Sequence, residues 1–507
     1  MDFRASLLCF GLLLAACGGD QGQEQRVLRA GAAAVVVTPV VETFEDLDGD
    51  EQHDEDEPFD DLDDDGKWDP VYMGGFGAHR PALGIQDDLY SRVLVLDKGD
   101  IRVGIVSIDW VGLFHDHALE FEQAAAEAGL DLDLLLVSCT HNHEGPDTMG
   151  IWGEPENMVS GLDEEYVSLA RQRTVAALAE AVESLTPVRV SAAVTNTENL
   201  TVDSRKPYVK NEKVTALRFE STEDSTPVAV IVHWSNHPEA MEGRNRMITP
   251  DFPLGVVAAL EAAHPQAVGI FWQGTVGGLL HPMGFDVLDA NGELLDDPSF
   301  ERTERIGQLV AEAALEALSA GQDITADGRL VFHRRKYHAR MDNLELKLAA
   351  VAGIVRRTVY DEQGNVRDLE EVFNFDPYIE TQVSAIDIGE LQIVTVPGEL
   401  YPELAMEGPA GEWYYEDPQD PGADFYPLEC EPPVYSLMRD TPYRIVLGLT
   451  NDEVGYIIPR CQFDSQPPFA YGRDDPQYGE EVSPGPEFAP QMIEALAAEL
   501  QALGTMD

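Results

Sequence analysis

His141 and His143 stand one residue apart directly behind the apolar run Leu134-Leu135-Leu136-Val137, and they are the side chains best placed to do chemistry. An apolar run halted by polar and turn-forming residues reads as a buried strand feeding a loop. Alternate residues of a strand share a face, so both imidazoles can enter one cleft, where neutral rings side by side suit zinc. A bare His-x-His is equally compatible with two histidines packed or solvated without a ligand. Gly145-Pro146 predicts a sharp turn, and Glu144 and Asp147 are candidate carboxylates for orienting the rings. Cys139, inside the strand, reads as a small buried apolar residue.

Catalytic zinc takes three protein ligands and keeps an open position, whereas a structural site takes four. Further donors recur behind other predicted strands. Val228 to Trp234 runs into Ser235-Asn236-His237-Pro238, which repeats the strand-then-histidine pattern. Val394-Thr395-Val396-Pro397-Gly398-Glu399 sets a carboxylate past a strand and a turn, and Gly448 to Tyr456 sets a tyrosine past another.

In this order the motifs resemble the neutral ceramidases and their bacterial relatives, with the likeness running from about Ala30 to the C-terminus. It rests on Thr140-His141-Asn142-His143-x-Gly145-Pro146, the histidine before Pro238, Val396-Pro397-Gly398-Glu399, the Asn451 to Tyr456 segment, and Tyr478 ahead of Ser483-Pro484-Gly485-Pro486. The resemblance implies that His141, His237, Glu399 and Tyr456 bind zinc and that His143 faces the substrate's reacting amide or its hydroxyl. It also implies that Arg205 and Tyr478 lie near the active site. The implied reaction is hydrolysis of an amide, in N-acylsphingosine or a related N-acyl lipid, to a fatty acid and an amine. Zinc would acidify the attacking water and polarise the carbonyl, and a histidine or tyrosine would donate to the developing oxyanion.

Two departures qualify the implied substrate. Where the family carries a Gly-Asp-x-Ser-Pro segment with a proposed active-site serine, this chain reads Gly277-Gly278-Leu279-Leu280-His281-Pro282, with His281 a candidate for the place. The family's C-terminal β-sandwich is expected to have no counterpart. The alternatives are a metallohydrolase with a different amide or ester substrate, and a non-catalytic, calcium-stabilised surface protein of the same fold. Metallo-β-lactamase-like and amidohydrolase enzymes also use His-x-His, but the former expect an Asp-His pair where Gly145-Pro146 stand.

The elements that must position these side chains alternate in type. Strands are predicted at Ala32 to Val37, Val93 to Leu96, Val103 to Ile108, Val188 to Val194, Thr215 to Phe219, Val228 to Trp234, Ser384 to Ile388 and Leu391 to Val396. Helices are predicted over His117 to Ala128, Glu164 to Leu185, 306–317 and Pro490 to Leu503. The expected fold is α/β, with mixed sheets covered by helices and residues 30–507 forming a single large catalytic unit. At 507 residues and 44% hydrophobic content the chain can bury a sizeable core.

A formal net charge of -60 excludes nucleic acid as a partner and favours divalent cations. Part of the charge is an ordered insertion, 45–70. Asp46-x-Asp48-x-Asp50 continues to Asp54, and Asp61-x-Asp63-x-Asp65-Gly66 continues to Asp69, the spacing by which a loop wraps oxygen ligands around calcium. The second loop is the better match. The first has Glu51 in the glycine position, and neither is expected to carry the glutamate that closes an EF-hand. Trp68, Tyr72 and Phe76 argue against the alternative, a disordered acidic run.

The N-terminal apolar stretch is too short to span a membrane, and its end, Leu14-Ala15-Ala16-Cys17, resembles a bacterial lipobox. The expectation is a signal peptide over 1–16, acylation of Cys17, a tether over 17–29 and a lipid-anchored lipoprotein of the bacterial cell envelope, on the outer-membrane or periplasmic side. A plain secretory signal is the alternative. In that oxidising setting Cys430 and Cys461 can form one disulfide. The expected partners are a small-molecule or lipid substrate and, through the anchor, the membrane.

Overall fold

The computed structural model describes residues 27–49, 51–54, 56–62, 64–326, 328–406 and 430–504. Cys17, Asp50 and Asp63 therefore lie outside the described residues. Strands β1 (Arg29–Val36), β2 (Tyr90–Asp97), β3 (Arg102–Ile108), β4 (Leu134–Cys139), β5 (Thr186–Asn196), β6 (Lys213–Ser221), β7 (Pro227–Trp234) and β8 (Val268–Gln273) form one mixed sheet in the order β8-β7-β6-β5-β1-β2-β3-β4. A ninth, β9 (Gln322–Asp323), pairs with β5. The central pairings are antiparallel, while β3/β4 and β7/β8 are parallel. A parallel pair needs a crossover connection. Helices α1 (His115–Glu127) and α3 (Phe252–Ala263) supply the two required, and α2 (Glu164–Glu183) and α4 (Phe300–Leu318) complete the helical cover.

This topology puts His141 and His143 behind β4 and His237 behind β7, far apart in the hydrogen-bonded order. The sheet nevertheless curls until its two ends touch. Ser107 Oγ on β3 donates to Phe271 O on β8 at 2.6 Å. Gln273 Nε2, at the tip of β8, donates to Thr140 O at 2.7 Å and to Asn236 O at 2.8 Å, so one amide group ties together the two histidine-bearing strand ends.

A six-stranded sheet packs inside the curl. It contains β10 (Leu330–Arg340), β11 (Tyr378–Ile388), β12 (Leu391–Thr395), β13 (Arg444–Leu447) and two further two-residue strands. Alternation along β2 shows how the layers are joined. Val93 and Val95 pack with Phe121 and Leu178 on the helical side, whereas Leu94 and Leu96 pack with Ile386, Ile393 and Ile445 of the second sheet. Each such side chain contributes roughly 1.5–3 kcal/mol on burial, so the shared interior is what holds the two sheets at a fixed distance. A last helix, α6 (Phe488–Gly504), covers the outer face of the second sheet, after the short α5 (Leu344–Val351).

The segment carrying Tyr456 is stitched to β4. Cys139 N donates to Leu449 O at 3.1 Å and Asn451 N to Val137 O at 2.8 Å. The Asn451 side chain accepts from Val137 N at 2.7 Å and donates to Leu135 O at 3.0 Å, satisfying an otherwise open strand edge. Cys430 and Cys461 are joined as a disulfide with their Cα atoms 5.0 Å apart. Among the described residues no helix is long and apolar enough to cross a membrane.

The mixed α/β fold agrees with expectation, and the predicted strands and helices appear with ends moved by a few residues. The labelled elements not anticipated are α3, α5, β8, β9 and β10. The α3 sequence, Phe-Pro-Leu-Gly-Val-Val-Ala-Ala-Leu-Glu-Ala-Ala, is apolar on nearly all sides, so no 3.6-residue rhythm marks it. By contrast, β10 carries His333, Arg334, Arg335 and Lys336 on a largely uncovered stretch, which masks its strand character.

Candidate metal centre and active site

His141 breaks the alternation of β4 by adopting a left-handed backbone, φ 66°, which costs a non-glycine residue on the order of 1 kcal/mol. That single bend lets Cys139 stay in the core while both His141 and His143 reach the centre. His141 Nδ1 donates to Val111 O at 2.7 Å, and His237 Nδ1 donates to Leu280 O at 2.7 Å. Carbonyl oxygens only accept, so both rings carry a proton on Nδ1 and turn Nε2 inward, the nitrogen a metal ion would take. These two carbonyls do the orienting that Glu144 and Asp147 were expected to do. Glu144 accepts instead from Asn245 Nδ2 (2.8 Å), and Asp147 accepts from the backbone of Met149, Gly150 and Trp152.

The inward nitrogens meet a carboxylate. Glu399 Oε2 lies 3.2 Å from His141 Nε2 and 3.0 Å from His237 Nε2. Burial opposes ionisation of Glu399, but the two imidazoles overcome it and hold the carboxyl below its usual range. Burial likewise opposes charge on His237, yet the Glu399 hydrogen bond outweighs it and lifts the pKa to about 9. Tyr456 pairs with Glu399 in a short parallel ladder, Glu399–Leu400 against Tyr456–Ile457, which sets the phenol beside the carboxylate. Burial first, and the Glu399 charge second, push that phenol well above its ordinary pKa. Two inward imidazole nitrogens of fixed orientation, a carboxylate and a phenol make the mixed N/O donor set that zinc accepts.

His143 is as central as the assigned ligands. Its Nε2 lies 3.2 Å from His141 Nε2, and ligand nitrogens of His141, His143 and His237 all fall within 4.8 Å of one another, so the three histidines can hold a metal ion. Burial, then the two neighbouring imidazoles, push its pKa well down, so it stays neutral. On its other side Glu239 Oε2 is 3.3 Å from Nδ1, without hydrogen-bond geometry. Gly75 makes room for the ring: a Cβ there would lie 2.2 Å from His143 Cγ. Gly75→Ala is therefore expected to displace His143 and lower turnover about tenfold or more, the scale on which supporting residues act, while bound metal, measured by elemental analysis, stays unchanged.

The centre closes one end of a cavity of about 320 Å³ whose walls are mostly apolar, among them Phe76, Val111, Phe114, Trp152, Leu346 and Ile354. Glu399, Glu453, Tyr456 and Tyr478 line it too. The Tyr478 ring sits edge-on to Tyr456, 5.8 Å between centroids, with about half of the residue exposed. Glu453 is buried, with Oε1 accepting from Gly455 N at 2.8 Å.

Arg205 does not line the cavity. It is buried and committed, with a two-pronged pair to Glu480 (2.8 and 2.9 Å) and further bonds to Tyr478 O (2.8 Å) and Gln462 O (3.3 Å). Its place is behind the segment that presents Tyr478. The stretch Gly277 to Pro282 contains no serine, as expected, but Ser204 Oγ lies 2.6 Å from His281 Nε2. Because His281 Nδ1 accepts from Met283 N at 3.3 Å, its proton is on Nε2 and points at the hydroxyl, opposite to the arrangement of a base that activates a nucleophile. The pair is brought together by the Val202–Asp203 and Leu280–His281 ladder, across a separation no local motif reveals.

The acidic insertion is ordered around an aromatic cluster of Phe44, His53 and Trp68, with centroids 4.7–5.5 Å apart. Its first loop corrects the reading of the sequence. Asp46, Asp48 and Glu57 bring carboxylate oxygens within 4.8 Å of one another, and Glu57 is the twelfth residue counted from Asp46, where an EF-hand places its closing glutamate. Glu51, in the glycine position, adopts φ 62°. Asp54 N donates to Glu57 Oε2 at 3.0 Å. In the second loop Asp61 accepts from Asp65 N and Gly66 N, and Asp69 N donates to Glu42 Oε2 at 2.9 Å. Glu42 thus does for the second loop what Glu57 does for the first, from outside the loop.

The fold is that of the neutral ceramidases. The chain superposes on the crystal structure of neutral ceramidase from Pseudomonas aeruginosa with a TM-score of 0.65 at 16% identity, covering 94% of this chain and 74% of that one. A second solved structure, a ceramidase complexed with C2, gives a TM-score of 0.63 at 14% identity over 94% and 75%. No protein-family model matches the sequence, and no curated protein does.

Proposed function

We propose that the chain is an exported zinc-dependent amidohydrolase that cleaves N-acyl lipids of the ceramide type into a fatty acid and an amine. What carries this reading is the meeting of two carbonyl-fixed histidines and Glu399 at the polar end of an otherwise apolar cavity. In it, His141, His237, Glu399 and Tyr456 would hold the metal, whose chemistry there would be to acidify water and polarise the acyl carbonyl. The apolar walls take the acyl chain and exclude bulk water. Neutral His143 contacts the amide, takes the proton given up by the attacking water and passes it to the departing amine, while Tyr478, edge-on to Tyr456, donates to the developing oxyanion. Arg205 positions Tyr478 by donating to its carbonyl while paired with Glu480. The name of the superposed enzymes supports the substrate class. The missing serine of the Gly277 to Pro282 stretch leaves a second reading open, the same centre acting on a different amide or ester.

Release of fatty acid from a fluorescent ceramide, run beside N-acyl amino acids and a His141→Ala control, tests the substrate. Ceramide turnover no greater than that of the control rejects ceramide. His143→Ala separates substrate contact from ligation: turnover is expected to fall 100-fold or more, within the range for a proton-transfer group, with zinc content retained. Loss of zinc instead would make His143 a ligand.

The same proposal assigns calcium to Asp46, Asp48, Asp50, Asp54 and Glu57, and to Asp61, Asp63, Asp65 and Asp69. Chelation is expected to lower the melting temperature, and Glu57→Gln to remove much of that effect; an identical melting curve after chelation rejects it. Export through an acylated Cys17 predicts that Cys17→Ser shifts the protein from the membrane to the soluble fraction. The Cys430–Cys461 disulfide is consistent with an oxidising compartment.

A further inference from the structure

Two of the segments that wall the cavity also carry large apolar side chains on their outer faces. In α5, Leu346, Ala349 and Ala350 line the cavity, while Leu344, Leu348 and Val351 are 60%, 53% and 41% exposed. Their spacing of four and three residues puts them in one stripe on the opposite side of a two-turn helix. On the facing wall, where Ile151, Trp152 and Pro155 line the cavity, the turn that follows leaves Met158 68% exposed in a left-handed conformation, φ 58°. The two walls are joined, because Ser160 Oγ donates to Ile354 O at 3.2 Å. Phe373, close behind the 3-10 turn Leu369–Glu371 whose Leu369 also lines the cavity, is 51% exposed, as is Tyr478.

A chain of net charge -60 has ample polar residues with which to cover a surface. An apolar stripe on the rim of an apolar cavity therefore marks a contact. We propose that this rim docks on a neutral, zwitterionic phospholipid surface, with α5 lying in the interface, so that an acyl chain passes from the bilayer into the cavity without crossing water. The proposal rests on the N-acyl-lipid reading for what enters, and the occupant follows from three observations. The stripe is continuous with cavity walls that suit a hydrocarbon chain. The charged residues between Leu344 and Leu348, Glu345 and Lys347, are of opposite sign, so the stripe carries no net charge. The acidity of the whole chain disfavours an anionic leaflet, which leaves a neutral one.

The test uses the full chain carrying Cys17→Ser, so that no attached acyl chain contributes, and phosphatidylcholine vesicles in a co-sedimentation assay. Leu344→Asp with Leu348→Asp is expected to weaken partitioning at least tenfold, and Met158→Asp to weaken it by a smaller factor. Leu294→Asp serves as the control, since that residue is 62% exposed but does not line the cavity. Hydrolysis of a water-soluble short-chain amide should be unchanged in every variant, because none touches the metal centre. Unaltered partitioning of the double variant overturns the proposal. So does a dimer that the same substitutions dissociate with no vesicle binding, which would assign the stripe to a second copy of the chain. Vesicle binding needs no turnover, so a failed ceramide assay and a failed docking assay are distinguishable.

Discussion

Replacing His237 by alanine is expected to empty the centre of zinc and to lower kcat/KM by more than 100-fold. Substituting a residue that only orients a metal ligand typically costs 10–100-fold, and His237 is argued to be a ligand itself. Its Nδ1–H is spent on Leu280 O, so Nε2 is the inward nitrogen, and a metal ion displacing the proton it shares with Glu399 would find a lone pair there. Glu399 Oε2, 3.0 Å away, would lose one of its two imidazole partners inside a buried site. Elemental analysis and turnover, measured on the same preparation, should fall together. A protein that keeps its zinc but loses turnover would move His237 from ligation to substrate contact.

The second large effect concerns stability. Arg205→Met should destabilise the fold by about 3–5 kcal/mol, the range for breaking a buried ion pair at one end. Glu480 is left without its two-pronged partner, and Tyr478 O and Gln462 O lose a donor. Pairing the change with Glu480→Met should recover most of the loss, since a well-packed apolar replacement of a buried pair is often neutral. Chemical denaturation of the two variants checks this. If Arg205 acted directly on the substrate, Arg205→Met would lower kcat at unchanged stability, and Glu480→Met would restore nothing.

Much of the candidate centre was legible because its proposed ligands follow apolar runs ended by turn residues, at β4, at β7 and before Glu399. A strand end is a place where local sequence and geometry agree. What the sequence could not show is how two ends at opposite edges of one sheet meet. That depends on the curl closed by Gln273 and on the edge filled by Asn451, both contacts between residues more than 30 positions apart. Arg205 illustrates the opposite limit. The resemblance implies a place for it near the active site, and only its four bonds show that it holds the segment presenting Tyr478. Glu57 was readable by counting twelve residues from Asp46, but the crowd of neighbouring acids hid it. Gly75 and Glu239 left no signal, because their roles come from the space around His143 rather than from any motif.

The most direct test of the account is the zinc content of the purified full chain beside that of the His141→Ala, His237→Ala double variant. The account predicts one zinc ion per chain in the parent protein and none in the variant, with calcium unchanged. A parent protein free of zinc, or a variant that retains it in full, would contradict the metal centre and the hydrolytic reading built on it.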